Sequence, residues 1–135
     1  MTASCSKRFE RCSQPTPIGA RIDADDVQLK RGSGYDHNFC LNTGGDLSQC
    51  AARVVEPRSG RLLEMYTTEP GLQFYTGNAL EHLVGKNGQI WSPRTGFCLE
   101  AQKFPDSPNR PDFPSPWLTP NRSYSQTTIY KFGVV

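Results

Sequence analysis

The sequence predicts an all-β protein that forms a sandwich of antiparallel sheets. Short runs of alternating apolar and polar residues recur along the chain, and turn signals rich in glycine, proline and asparagine separate them. No stretch has the 3.6-residue apolar period of an amphipathic helix. The 135 residues are enough for one domain with a core of its own.

The composition argues against several classes of partner. Fifteen basic and thirteen acidic residues give a net charge of +2, with no basic block that would favour nucleic acid or a membrane surface. No apolar run is long enough to span a membrane, and no signal-peptide core follows Met1, so we expect a cytoplasmic protein. No glycine-rich phosphate loop indicates a nucleotide enzyme.

The five cysteines predict reduced structural thiols and no metal site. They are odd in number, form no C-x-x-C pair and have no histidine at the spacing of a zinc ligand. Cys40 and Cys98 fall within strand-like apolar runs, where a thiol behaves as a small buried hydrophobic group.

The first part of the chain is expected to contain little regular structure. Residues 1–13 have no period and read as a frayed tail. The aspartates at 23–26 predict a capped helical turn from Asp25 to Lys30. Residues 35–42 then alternate cleanly and predict the first strand.

A β-hairpin is predicted for residues 50–68. Two strands, residues 50–55 and 61–68, flank a turn in which Pro57 suits the first central position. Gly60 supplies the left-handed residue that closes such a hairpin.

The remaining elements follow from turn signals and alternation. Asn87 and Gly88 form a tight-turn signal, and the six prolines of residues 103–120 exclude regular structure there. The sequence predicts strands at 72–76, 89–91, 97–102 and 127–135, with a loop at 77–86.

Three strands carry polar side chains opposite their large apolar ones. Because successive side chains of a strand point to opposite faces, Glu100 lies opposite Phe97 and Leu99. Asp36 and Gln73 have the same position on two other strands. Alternation alone favours the simpler interpretation, a solvated sheet face. The competing hypothesis is a face that binds carbohydrate, with a carboxylate that moves a proton.

Alternation sends His37 to the opposite, apolar face. We therefore expect a packed or edge histidine there rather than an acid beside Asp36. His82 falls in the predicted loop and has no argued role.

Several stretches resemble the aldose 1-epimerase family, in the order in which that family has them. GYDHNFCLN (34–42) resembles the motif with the family's aspartate, and RTGFCLEAQKFPDSPN (94–109) resembles the motif with its glutamate. TTEPGLQFYTGN (67–78) is similar to a further family motif. The resemblance covers residues 14–135, which we assign to the carboxyl-terminal part of the family's domain.

The resemblance implies a large galactose mutarotase-like β-sandwich that interconverts the α and β anomers of free hexoses such as galactose or glucose, without a cofactor. Glu100 matches the general base that deprotonates the anomeric hydroxyl. Asp36 and Gln73 match residues that contact the sugar. In that mechanism a histidine protonates the ring oxygen.

The departures from the family concern the acid. The family's two active-site histidines and its sugar-binding arginine belong to its amino-terminal part and have no counterpart here, which predicts a truncated and nearly inactive chain. The alternatives are a sugar-binding module without catalysis and an inactive fragment.

A further departure is Asn121, which occupies a position where the family is expected to have glycine. Asparagine tolerates the left-handed backbone conformation at such a position.

Overall fold

The computed structural model describes residues 15–135, and these form two compact units. One unit contains residues 40–72 and 101–135, and the other contains residues 15–39 and 73–100. The predicted tail, residues 1–13, lies outside the described part of the chain. The regular elements are α1 (Val27–Gly32), β1 (Asp36–Cys40), β2 (Ala52–Val55), β3 (Arg61–Thr67), β4 (Gly71–Tyr75), β5 (Leu83–Val84), β6 (Ile90–Trp91), β7 (Cys98–Gln102) and β8 (Thr128–Val134). The prediction of an all-β fold is confirmed.

The predicted hairpin forms the sheet β2-β3-β8 of the first unit. β3 is its central strand and pairs antiparallel with both neighbours, so that Met65 lies opposite Ala52 on one side and Tyr130 on the other. Gly60 has a φ of 71° and donates its N–H to the Glu56 carbonyl at 2.9 Å, which closes the turn as expected.

A buried carboxylate lies between β3 and β4. Glu69 is 2% exposed and accepts hydrogen bonds from Lys103 Nζ at 2.8 Å and from the Tyr124 hydroxyl. The bond to Glu69 raises the pKa of Tyr124. The contacts tie residues from three separate stretches of this unit together.

The second sheet, β1-β4-β7, has β4 in its centre. Thr76 donates its N–H to the Tyr35 carbonyl at 3.1 Å, and Leu41 donates to the Pro70 carbonyl at 2.9 Å. These two bonds make β1 and β4 antiparallel. The same register places Gln73 opposite residue 38.

Helix α1 packs beside this sheet in the second unit. Leu29 is buried with Ile22 and Tyr35, and Phe74 packs against this cluster. Asp26 caps the helix, since its Oδ1 accepts from the N–H of Gln28 at 2.7 Å and from that of Leu29 at 3.4 Å. The capped helical turn is confirmed, beginning two residues later than predicted.

The stretch 77–86 is not entirely a loop, contrary to the prediction. Leu83–Val84 forms β5, which pairs antiparallel with β6. The turn between them is the predicted one, because Asn87 and Gly88 have φ values of 59° and 72°. Positive φ at both central residues matches the twist of a hairpin.

The expectation for the cysteines is wrong in two respects. Cys40 takes part in a disulfide bond, whereas Cys50 and Cys98 are free thiols. Cys40 and Cys98 are also exposed rather than buried. Both occupy the polar face of their strands, where alternation places them opposite the packed aromatic side chains.

Asn121 has a φ of 68°, which is the left-handed conformation that asparagine tolerates in place of glycine. Within residues 15–135, no helix has the length and apolar character needed to cross a membrane.

Candidate functional site

Aromatic contacts fix which face of the β1-β4-β7 sheet is apolar. The Phe74 ring lies 6.4 Å from that of Phe39 and 6.1 Å from that of Phe97, centroid to centroid. Phe39 of β1, Phe74 of β4 and Phe97, directly before β7, therefore lie on one side of the sheet. Because strand side chains alternate, Asp36, Gln73 and Glu100 belong to the opposite face.

Two of the three predicted site residues are in direct contact. The Gln73 Nε2 group donates a hydrogen bond of 2.7 Å to Asp36 Oδ1. Asp36 is exposed at the start of β1, and Gln73 is half-buried in the central strand. The bond joins neighbouring strands diagonally, since the register places Asp36 opposite Tyr75. The carboxylate and the amide thus form a fixed pair on the polar face.

Glu100 occupies the strand on the other side of β4. Its carboxylate is exposed in the middle of β7 and has no hydrogen-bond or ion-pair partner within residues 15–135. An unpaired exposed carboxylate is able to accept a proton or a hydroxyl hydrogen bond from a ligand. The polar face therefore presents a proton acceptor beside a paired carboxylate and amide.

His37 lies away from this face, as predicted. It is half-buried and makes an edge contact with the Tyr35 ring at 6.0 Å. Burial lowers its pKa, and the charges of Asp36 and Asp26 only partly oppose that effect. His37 is thus a packed side chain on the apolar face.

His82 is exposed in the segment before β5, with a φ of 47°. Within the described residues, no cluster of three histidine, cysteine or acidic side chains is arranged as metal ligands.

Asn78 and Thr76 hold the start of β1 and the end of β4 together. Asn78 Nδ2 donates to the carbonyls of Gly32 and Tyr35 at 2.8 and 2.9 Å. The sequence predicts only a loop from residue 77 onward. The partners of Asn78 lie more than forty residues earlier in the chain, and no local pattern indicates such contacts.

The family of this chain is shown by its similarity to known proteins. The profile of the aldose 1-epimerase family matches residues 4–131. Galactose mutarotases of Rattus norvegicus and Homo sapiens are 51% and 52% identical over 122 residues, and the aldose 1-epimerase of Escherichia coli is 40% identical over 117 residues. The chain belongs to the aldose 1-epimerase family.

The alignments cover most of this chain but a much smaller part of each relative. The three alignments include 90%, 90% and 85% of this chain and 34% of each relative. The chain thus spans about a third of the length of these relatives.

A solved structure gives the same result for the fold. The GalM/aldose epimerase homologue from C. elegans matches 74% of this chain and 30% of its own, with a TM-score of 0.67 and 25% identity. The predicted β-sandwich class, of which this chain forms part, is confirmed.

Proposed function

We propose that this chain carries the general base and two sugar contacts of an aldose 1-epimerase, an isomerase that interconverts the α and β anomers of free hexoses such as galactose or glucose. The observation that carries the proposal is the Asp36–Gln73 hydrogen bond on the face that also holds the exposed carboxylate of Glu100. Family membership supports the same assignment.

Each residue has a role in the proposed reaction. Glu100 takes the proton of the anomeric hydroxyl, and the C1–O5 bond breaks as the carbonyl forms. The ring oxygen receives a proton, the C1–C2 bond rotates, and reclosure on the other face of the carbonyl gives the second anomer. Asp36 accepts and Gln73 donates hydrogen bonds to sugar hydroxyls, which holds the ring while it opens. The reaction needs no cofactor, and we retain the cytoplasm as the proposed location.

The proposed reaction also needs an acid that protonates the ring oxygen. The sequence contains two histidines, and His37 packs on the face opposite Glu100. A base that works without its acid loses roughly 10²–10⁴-fold in rate. We therefore propose that this 135-residue chain, assayed alone, is nearly inactive because no histidine of its described residues is placed to protonate the ring oxygen.

Polarimetry of freshly dissolved α-galactose tests this proposal. We expect the chain alone to give a rate close to that of the buffer. Imidazole buffer supplies an external acid. In this buffer, the rate of mutarotation should be higher with the chain than without it. The added rate should disappear in Glu100→Gln and persist in Glu81→Gln, a matched change at an exposed loop residue.

Two outcomes would overturn the assignment. Mutarotation well above the buffer rate without imidazole, abolished by Glu100→Gln, would show that the chain already holds an acid. An imidazole-dependent rate that is equal in wild type and Glu100→Gln would remove Glu100 as the base.

A sugar-binding module is the second candidate, favoured by the hydrogen bond between Asp36 and Gln73 and by the packing of His37 away from their face. A galactose titration separates the candidates. Binding without turnover in imidazole supports the module. The absence of both binding and turnover supports an inactive chain.

A further inference from the structure

Asn78 uses its side-chain amide to join the approach to β1 with the end of β4. Its Nδ2 group donates to the carbonyls of Gly32 and Tyr35, and its Oδ1 accepts from the Thr76 hydroxyl at 2.7 Å. Both hydrogens of the amide and its oxygen are therefore used by residues of this unit. Tyr35, which receives one of these bonds, directly precedes the site residue Asp36.

Thr76 reinforces this connection from within the sheet. It is buried, and its N–H donates to the Tyr35 carbonyl at 3.1 Å. The Tyr35 N–H in turn lies 3.2 Å from Thr76 Oγ1. The backbone on one side of Asp36 is thus held from two directions by the residues that follow Gln73 in sequence.

The backbone around Asn78 leaves little freedom for another arrangement. Gly34 has a φ of 139°, and a Cβ atom there would lie 2.4 Å from Asn78 Oδ1. Arg94, in the turn before β7, donates its N–H to the Gly77 carbonyl at 3.1 Å and its Nη2 to the Ser33 carbonyl at 3.1 Å. The segment that follows β4 therefore contacts the approaches to both outer strands.

We propose that Asn78 is a positioning residue for the sugar face, which fixes Asp36 so that its carboxylate meets the Gln73 amide. This inference rests on the proposed function for its link to sugar binding. Its structural part, the effect of Asn78 on the Asp36–Gln73 bond, stands apart from that function. The two parts are therefore tested by different signals.

The test follows the Gln73 side-chain amide in ¹⁵N–¹H NMR spectra of the full chain. Asp36→Ala supplies the position of this signal when the bond is lost. Asn78→Asp removes the two N–H donors and places a carboxylate beside two carbonyls, so the signal should move most of the way to the Asp36→Ala position. Asn87→Asp, the same change in the exposed β5–β6 turn, should leave it in place.

Thr76→Val serves as a milder second variant if Asn78→Asp does not fold. It removes the hydroxyl that donates to Asn78 Oδ1 and accepts from the Tyr35 N–H, and the Gln73 signal should move in the same direction. A Gln73 signal at the wild-type position in either folded variant would overturn the positioning role.

Galactose affinity tests the functional part. Asn78→Asp and Asp36→Ala should each weaken binding about tenfold, and the double variant should be little worse than either, because both changes remove one interaction. Additive losses would show that Asn78 acts only through general stability. If the wild-type chain does not bind galactose, the proposed function fails, while the Gln73 signal still decides whether Asn78 positions Asp36.

Discussion

Replacing Lys103 with methionine should strongly destabilise the chain, because it leaves a buried carboxylate without its cation. Glu69 is 2% exposed and the Lys103 side chain is 30% exposed, with Nζ and Oε2 2.8 Å apart. Methionine keeps most of the apolar stem of lysine and removes only the charge and its donors. The Tyr124 hydroxyl remains as a donor to the carboxylate.

The magnitude follows from the geometry. At 2.8 Å and an effective dielectric constant of about 20, the gross attraction is about 6 kcal/mol, most of which offsets the desolvation of the two ions. Removal of one partner from a buried pair costs about 3–5 kcal/mol. Since Tyr124 stays and Lys103 is partly exposed, we expect about 2–3 kcal/mol.

Urea unfolding followed by circular dichroism measures this loss. With a slope of about 2 kcal/mol per molar urea, the midpoint of Lys103→Met should fall by roughly 1–1.5 M. The control is Lys30→Met, which breaks an ion pair with Asp25 whose side chains are 67% and 90% exposed. That variant should change the free energy of unfolding by less than about 1 kcal/mol. Equal shifts for the two variants would refute the reasoning from burial.

Three further predictions concern the second unit. Burial lowers the pKa of His37 below 6.5, so on acidification the unfolded state takes up the proton before the folded state does. The free energy of unfolding should therefore decrease as the pH drops below about 6.5. In His37→Gln, the difference between the urea midpoints at pH 7.5 and pH 5 should lack this contribution. Gly34→Ala should lower the thermal midpoint far more than Gly44→Ala, because both have positive φ but only the first meets a side chain; equal shifts would contradict the clash. Asp26→Ala should cost about 1 kcal/mol in urea, through loss of the α1 cap, and no change would contradict that role.

Local patterns predicted those elements whose partners are close in sequence. The β2–β3 hairpin was predicted because Pro57 and Gly60 determine a turn that joins adjacent strands. The helix cap was predicted because Asp26 bonds residues two and three positions later. β5 was missed because a strand of two residues is too short to show alternation.

The site was predictable only in part. Alternation assigned Asp36, Gln73 and Glu100 to polar faces of separate strands, and the structure places these strands side by side with β4 in the centre. The Asp36–Gln73 bond required the antiparallel register of strands that lie 37 residues apart. The contacts of Asn78 depend on the same kind of long-range pairing, which no local spacing indicates.

The central claim, that a hexose binds the polar face around Glu100, is tested most directly by the alkylation of two thiols. Cys98 and Cys50 are both free and exposed, and Cys98 is two residues from Glu100 on the same face of β7, whereas Cys50 precedes β2 of the other sheet. N-ethylmaleimide labelling, followed by peptide mass spectrometry, gives the rate for each thiol with galactose or with mannitol at equal concentration. We predict that saturating galactose slows Cys98 several-fold and leaves Cys50 unchanged. An unchanged Cys98 rate would contradict the claim.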